Sequence, residues 1–291
     1  MSLSKQDFYI VDVFAERKYA GNPLAVVICP EPLPAPDMQS IAREMNYSET
    51  TFLQPEPDAD GSYRVRIFTP NSELPFAGHP CLGTAWIIRH LYSPDAQEIT
   101  LKVPAGNIPV TFGSDGVLWM EQLQPTFGSL VSASAAAAVI GLETEEIDER
   151  YPAQVVSTGI PFLLIPVKTL ASVRSAVYRS EAAAALPAEA AVPVMPFCPE
   201  TYDKANGINA RVFVDELGVP EDPATGSAGG CLAAYLARCR YLGGPSVDTV
   251  VEQGYEIGRP SLLYLRASEI DGRFAIHVGG RVFFTAQGQL V

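Results

Sequence analysis

The chain has 291 residues, 47% hydrophobic and 18% charged, the make-up of a globular protein that can bury a large core without disulfide staples. Its formal net charge of −13 argues against nucleic acid, whose phosphates are bound through Lys and Arg. No run approaches the roughly 18 apolar residues of a membrane span, Met1–Phe8 carries no signal-peptide core, and the five cysteines contain no C-x-x-C pair; together these fit a reduced, cytoplasmic setting.

In chain order, Phe8–Phe14 and Leu24–Cys29 read as strands divided by the turn Gly21-Asn22-Pro23. Met38, Ile41, Ala42 and Met45 recur at helical spacing within Asp37–Asn46, with Asp37 as the expected cap. Thr50–Gln54 and Tyr63–Phe68 are further strands, and Pro80–Leu91 reads as a helix with proline at its first position. Ile99–Val103, Asn107–Phe112 and Val117–Gln122 form a meander. A helix over Ser132–Ile140 stops at Gly141, strands follow near Ala153–Ser157 and Phe162–Val167, and Leu170–Ala185 is helical. Pro187–Pro199 reads as a surface connection, Gly207–Val214 as a strand and Ala228–Tyr241 as a helix. Val247–Val291 is a run of strands broken at Gly258-Arg259-Pro260 and Asp271-Gly272.

Two stretches look like copies of one device. FTPNSELPFAGHPCLG (68–83) and LGVPEDPATGSAGG (217–230) each run from an acidic, proline-containing loop into an Ala-Gly or Thr-Gly step and then a helix. Gly78 and Gly226 are equivalent in this reading, 148 residues apart, about half the chain. Two similar halves are therefore expected, each aiming a glycine-led helix start at a shared cleft. A helix start presents unpaired N–H groups and about half a positive charge, and so grips a small anion such as a carboxylate. Cys81–Ile88 has no charge and Ala228–Arg238 none before its end; a helix apolar all round is buried all round. Each half is read as a helix wrapped by strands, with ordinary helices on a flat sheet as the alternative.

GNPLAVV (21–27), EMNYSETTFL (44–53), the two device stretches, QGYEIGRPS (253–261) and HVGGRV (277–282) resemble, in order and over nearly the whole chain, the PhzF-like family of phenazine biosynthesis. The resemblance implies an α+β fold of the diaminopimelate-epimerase type. In that fold two pseudo-symmetric domains each wrap a curved mixed sheet or barrel around a central helix, with the active site between them. It further implies cofactor-independent proton transfer by an isomerase and, commonly, a homodimer. In that fold the last strand returns to the first half. The expected domains are 1–125 with 280–291, carrying Glu49 and the Gly78-His79 helix start, and 126–279, carrying the Asp222–Ser227 helix start.

Glu49 stands where a helix ends and an apolar strand begins, and a carboxyl in apolar surroundings is expected above the usual 4.3 or so, poised to take a proton from carbon and return it. On sequence alone a capping or surface role competes; the match to the family's S-E-T-x-F step implies the acid/base. His79 at a positive helix start is expected neutral, and the resemblance places it against substrate, with Gly78 permitting close backbone approach. Asp222 is either turn chemistry or, by resemblance, a holder of a substrate amine or hydroxyl. Ser227 caps the second helix or donates to substrate, and Thr225, Gly226 and the following N–H groups form one side of the anion site. The related epimerases and racemases use two thiols at these helix starts, but here Ala77 and the Asp222-Pro223-Ala224 turn occupy those positions, and Cys81 and Cys231 are out of register. A 1,3-type shift on a small anionic metabolite through Glu49 is the expectation. A non-catalytic ligand-binding relative and a hydrolase using Ser227, His79 and Asp222 are the alternatives. No metal-ligand spacing or nucleotide loop is present, and the loops Pro55–Gly61 and Ala191–Asn206 are expected to set substrate choice.

Overall fold

The computed structural model describes residues 5–214 and 219–291; residues 1–4 of Met1–Phe8 and residues 217 and 218 of the second device stretch lie outside the described residues. The chain divides into two compact units, Met1–Met120 with Gly279–Val291, and Glu121–Val278. Among the described residues no helix is long and apolar enough to cross a membrane.

The first unit is a mixed sheet built in the order Val282–Leu290, Gln6–Val13, Asn22–Ile28, Glu49–Leu53, Tyr63–Phe68, Glu98–Val103 and Gly106–Phe112. Two pairings are parallel, Asn22–Ile28 with Glu49–Leu53 and Tyr63–Phe68 with Glu98–Val103. Helix α1 (Ala35–Met45) supplies the crossover to the first of these. It presses Met38 and Ala42 against Val27, Cys29, Phe52 and Phe68 on the outer face. Helix α2 (Gly78–Leu91) touches strands from Val282–Leu290 through to Gly106–Phe112, so the sheet curls around it. With Leu82, Ala85, Ile87 and Ile88 all fully buried, each large side chain contributes about 1.5–3 kcal/mol. A flat sheet would leave one side of the charge-free stretch Cys81–Ile88 in water.

The second unit repeats the plan. Its strands run Thr126–Val131, Ala153–Ser157, Pro161–Pro166, Val194–Cys198, Ile208–Ala210, Ser246–Gln253 and Ser261–Ile270. The outer face is covered by α3 (Ala133–Ile140), α4 (Leu170–Ser175) and α5 (Ser180–Ala184), which pack Ala136, Val139, Val173 and Ala183 against Val155, Leu163, Ile165 and Val194. Helix α6 (Gly226–Arg238) is the enclosed one, touching four of these strands and burying eleven of its residues. Tyr235, the bulkiest side chain in it, is fully buried and donates its hydroxyl proton to the Pro152 carbonyl at 2.7 Å, which removes the cost of a dry hydroxyl.

The structure corrects several local expectations. Both enclosed helices begin two residues early, at Gly78 and Gly226, so Pro80 is the third helical residue; it still needs no N–H partner in the first turn. Asp37 does not cap α1, which starts after Pro34. Leu170–Ala185 is two short helices. Pro187–Pro199 is not a surface connection, since Val194–Cys198 is a fully buried strand, parallel to Pro161–Pro166. Pro196 survives there by offering only its carbonyl, which accepts from Arg211 N–H at 3.1 Å. Thr126–Val131 is a strand without a sequence signal, because Gly128 and Ser129 interrupt its apolar pattern.

Gly254 closes the strand Ser246–Gln253 at φ +76°, where a Cβ would stand 2.4 Å from Arg259 O and 2.5 Å from Pro223 O. Gly258 has a similar φ of +72° with nothing within 4 Å. Gly254→Ala is expected to cost about 2–4 kcal/mol in urea unfolding, since backbone clash adds to left-handed strain, and Gly258→Ala only about 1–2 kcal/mol. Equal costs would show that the turn at Pro223 is not packed against Gly254.

Candidate active site

Glu49 opens its strand, and alternation puts it on the same face as Thr51. That face meets α2, because Thr51 Oγ1 and Thr84 Oγ1 share a buried hydrogen bond of 2.9 Å. Parallel pairing sets Glu49 opposite Leu24, and the neighbouring Pro23 carbonyl receives the imidazole of His79. Proline offers only a carbonyl, and His79 Nε2 makes no hydrogen bond among the described residues, so Nδ1–H is the donor. The remaining nitrogen lies 3.4 Å from Glu49 Oε2. Burial drives the His79 pKa down to about 3, opposed only in part by the Pro23 hydrogen bond. His79 is therefore neutral with its tautomer fixed, and it turns a lone pair toward a carboxyl that is 15% exposed.

The first unit thus gathers Glu49, Gly78 and His79. Gly78 and His79 supply the first two amides of α2, whose own ladder begins at Cys81 N–H to Ala77 O. Pro80 has none to give.

The second unit gathers Asp222, Thr225, Gly226 and Ser227. Val219–Asp222 ends at Asp222, and Thr225 is the N-cap of α6 without a side-chain capping bond. Ser227 is the second helical residue, so its expected role as cap is corrected. Thr225 turns its hydroxyl instead to Asp222 Oδ2 at 2.5 Å. The Thr225 amide is also unavailable to an anion, because it donates to Gln253 Oε1 at 3.2 Å. The ladder of α6 begins at Gly229 N–H to Thr225 O, which leaves the amides of Gly226, Ser227 and Ala228 outside it. Just before Asp222, the Glu221 carboxylate accepts two bonds from Arg211, at 3.0 and 2.6 Å. Arg211 also donates to the carbonyls of Val173, Arg174 and Ala176, and so ties the turn to the end of α4.

Pro23, Thr51, Thr84, Arg211 and Gln253 are parts of these arrangements that the sequence reading did not single out. Gln253 lay inside a quoted motif, but only the register of Ser246–Gln253 reveals what it meets. The two cysteines near the helix starts are buried thiols. Ala77 is the N-cap of α2, and burial raises Cys81 to about 12 and Cys231 to about 11, keeping both as thiols. His79 bonds Pro23 and faces Glu49, and Asp222 accepts from Thr225.

The description "phenazine biosynthesis-like protein" matches residues 11–288 of the chain. The trans-2,3-dihydro-3-hydroxyanthranilate isomerase of Pseudomonas aeruginosa is 34% identical over 288 residues, covering 97% of this chain and 98% of that protein. The crystal structure of the Bacillus anthracis phenazine biosynthesis protein of the PhzF family superposes with a TM-score of 0.91 at 26% identity, covering 99% of this chain and 100% of that one. A hydroxyproline epimerase from Agrobacterium vitis shares the fold at 13% identity, with a TM-score of 0.62 over 99% and 93% of the two chains. With a buried central helix in each unit and these likenesses over nearly its whole length, the chain belongs to the phenazine biosynthesis-like (PhzF) family, has the diaminopimelate-epimerase-like fold and is an isomerase.

Proposed function

We propose that the chain moves a proton within a small carboxylate-bearing metabolite, a 1,3-type shift without cofactor, with Glu49 as the acid/base. The observation that carries this reading is the Glu49–His79 pair, a mostly buried carboxyl 3.4 Å from the lone-pair nitrogen of a neutral imidazole. A proton taken from carbon onto Glu49 stands beside that nitrogen and can be returned to a second carbon. An imidazolium at the same place would pin Glu49 as a carboxylate and end its use as an acid.

The compound named for the Pseudomonas relative bears a carboxylate, an amine and a hydroxyl, and this chain holds groups of matching chemistry. First-turn amides at Gly78, His79, Gly226 and Ser227 suit carboxylate oxygens. Asp222 suits the amine or hydroxyl, and the Ser227 hydroxyl is a further donor. That compound is the first substrate to try.

Glu49→Gln is expected to lower turnover of it by about 10²–10⁴-fold, with binding little changed and deuterium uptake from D₂O at the product carbon abolished. Full activity in this variant removes Glu49 from the chemistry.

His79 adds a pH signature. Its folded value of about 3 lies below the unfolded reference of about 6.5, so the unfolded chain gains the extra proton. The stability due to this group is complete above pH 6.5 and is lost as pH falls toward 3. Between pH 6.5 and 5 the loss should reach about 2 kcal/mol by urea unfolding, and His79→Gln should lack that component. Parallel pH profiles for the two proteins would mean that folding leaves the His79 imidazole unshifted.

A further inference from the structure

Gln253 ends the strand Ser246–Gln253, is fully buried, and holds the Asp222–Thr225 turn by three hydrogen bonds. Its orientation is dictated by main-chain groups. Thr225 N–H can only donate, so the side-chain atom 3.2 Å away is the amide oxygen. The Asp222 carbonyl can only accept, so the atom 2.8 Å from it is the amide nitrogen. Both demands agree.

That nitrogen also reaches Thr225 Oγ1 at 3.1 Å. A hydroxyl that receives an N–H has its own proton left to give, and the carboxylate oxygen at 2.5 Å takes it. The chain of donation therefore runs from Gln253 to Thr225 to Asp222, and it cannot reverse without breaking a backbone bond. A hydroxyl–carboxylate contact of this length is of the strong, charge-assisted kind.

We propose that Gln253 is a positioning residue for substrate binding: by making the Thr225 hydroxyl an obligate donor to Oδ2, it stabilises Asp222 as the ionised, accepting carboxylate. Asp222 then holds a substrate substituent that brings its own proton, an ammonium or a hydroxyl, and rejects one that can only accept, such as a ketone or ether. This rests on the reading of Asp222 as a substrate-binding group. Gln253 touches no reacting atom in it and acts through Thr225.

The test replaces Gln253 by Glu, which keeps the shape and the acceptor for Thr225 N–H but removes the donor. With trans-2,3-dihydro-3-hydroxyanthranilate at pH 8, Gln253→Glu should raise KM by about ten- to hundredfold while kcat stays near that of the parent. Thr225→Val should do the same and Thr225→Ser should restore the parental KM, which keeps the proposal open to refutation if Gln253→Glu does not fold. A Glu49-dependent activity whose KM is unmoved by Gln253→Glu and Thr225→Val overturns the proposal and leaves the catalytic reading standing. If the parent does not turn the compound over, the proton spectrum of threonine-labelled protein decides. A downfield hydroxyl signal absent from Thr225→Val should also vanish in Gln253→Glu, and its persistence there overturns the proposal.

Discussion

A helix without a polar stripe has to be enclosed, and each unit is organised by that demand. Enclosure requires a sheet that curls, and a curled sheet of short strands brings several strand ends close to one helix start. Glu49 is the first residue of its strand, Asp222 and Gln253 are the last of theirs, and each lies at the start of the enclosed helix of its own unit. The apolar core and the polar site are therefore one problem. The residues that make α2 and α6 unfit for water also decide where reactive groups can stand.

Within each site the main chain fixes which atoms carry protons. The Pro23 carbonyl forces the proton of neutral His79 onto Nδ1 and leaves Nε2 as a lone pair toward Glu49. In the second unit the Thr225 N–H and Asp222 carbonyl orient Gln253, and the polarity passes through the Thr225 hydroxyl to a carboxylate. Side chains alone would leave both systems with two arrangements of similar energy. Backbone groups belong to the fold and cannot rotate, so they leave one.

The sequence carried the enclosed helices and most strands because their signals are local: absence of charge, β-branched runs, and glycine turns. Gly141 and Asn46 end their helices in the left-handed conformation, as turn chemistry anticipates. It carried Glu49 and His79 only through the family motifs. The contacts that give them meaning come from the parallel pairing of Asn22–Ile28 with Glu49–Leu53, which no local pattern states. Val194–Cys198 was misread for a related reason. Its prolines look like loop punctuation, and only a neighbour needing a carbonyl makes Pro196 acceptable inside a buried strand. Gln253 shows the same limit, since a glutamine beside a glycine reads as a turn until the register shows two backbone groups converging on it.

Burial also decides what the cysteines of the enclosed helices can do. Cys81 and Cys231 sit inside the enclosed helices, where desolvation holds the proton on sulfur at every physiological pH. At the helix starts themselves the chain places Ala77 in one unit and the Pro223-Ala224 turn, just before the Thr225 cap, in the other. A strand end, by contrast, leaves a side chain partly exposed and within reach of the first helical turn. Glu49 meets that condition in the first unit. In the second unit the carboxyl at the corresponding turn, Asp222, accepts a hydrogen bond from the Thr225 hydroxyl. The two strand-end carboxyls thus differ in setting, Glu49 beside the lone-pair nitrogen of His79 and Asp222 under the proton of a hydroxyl.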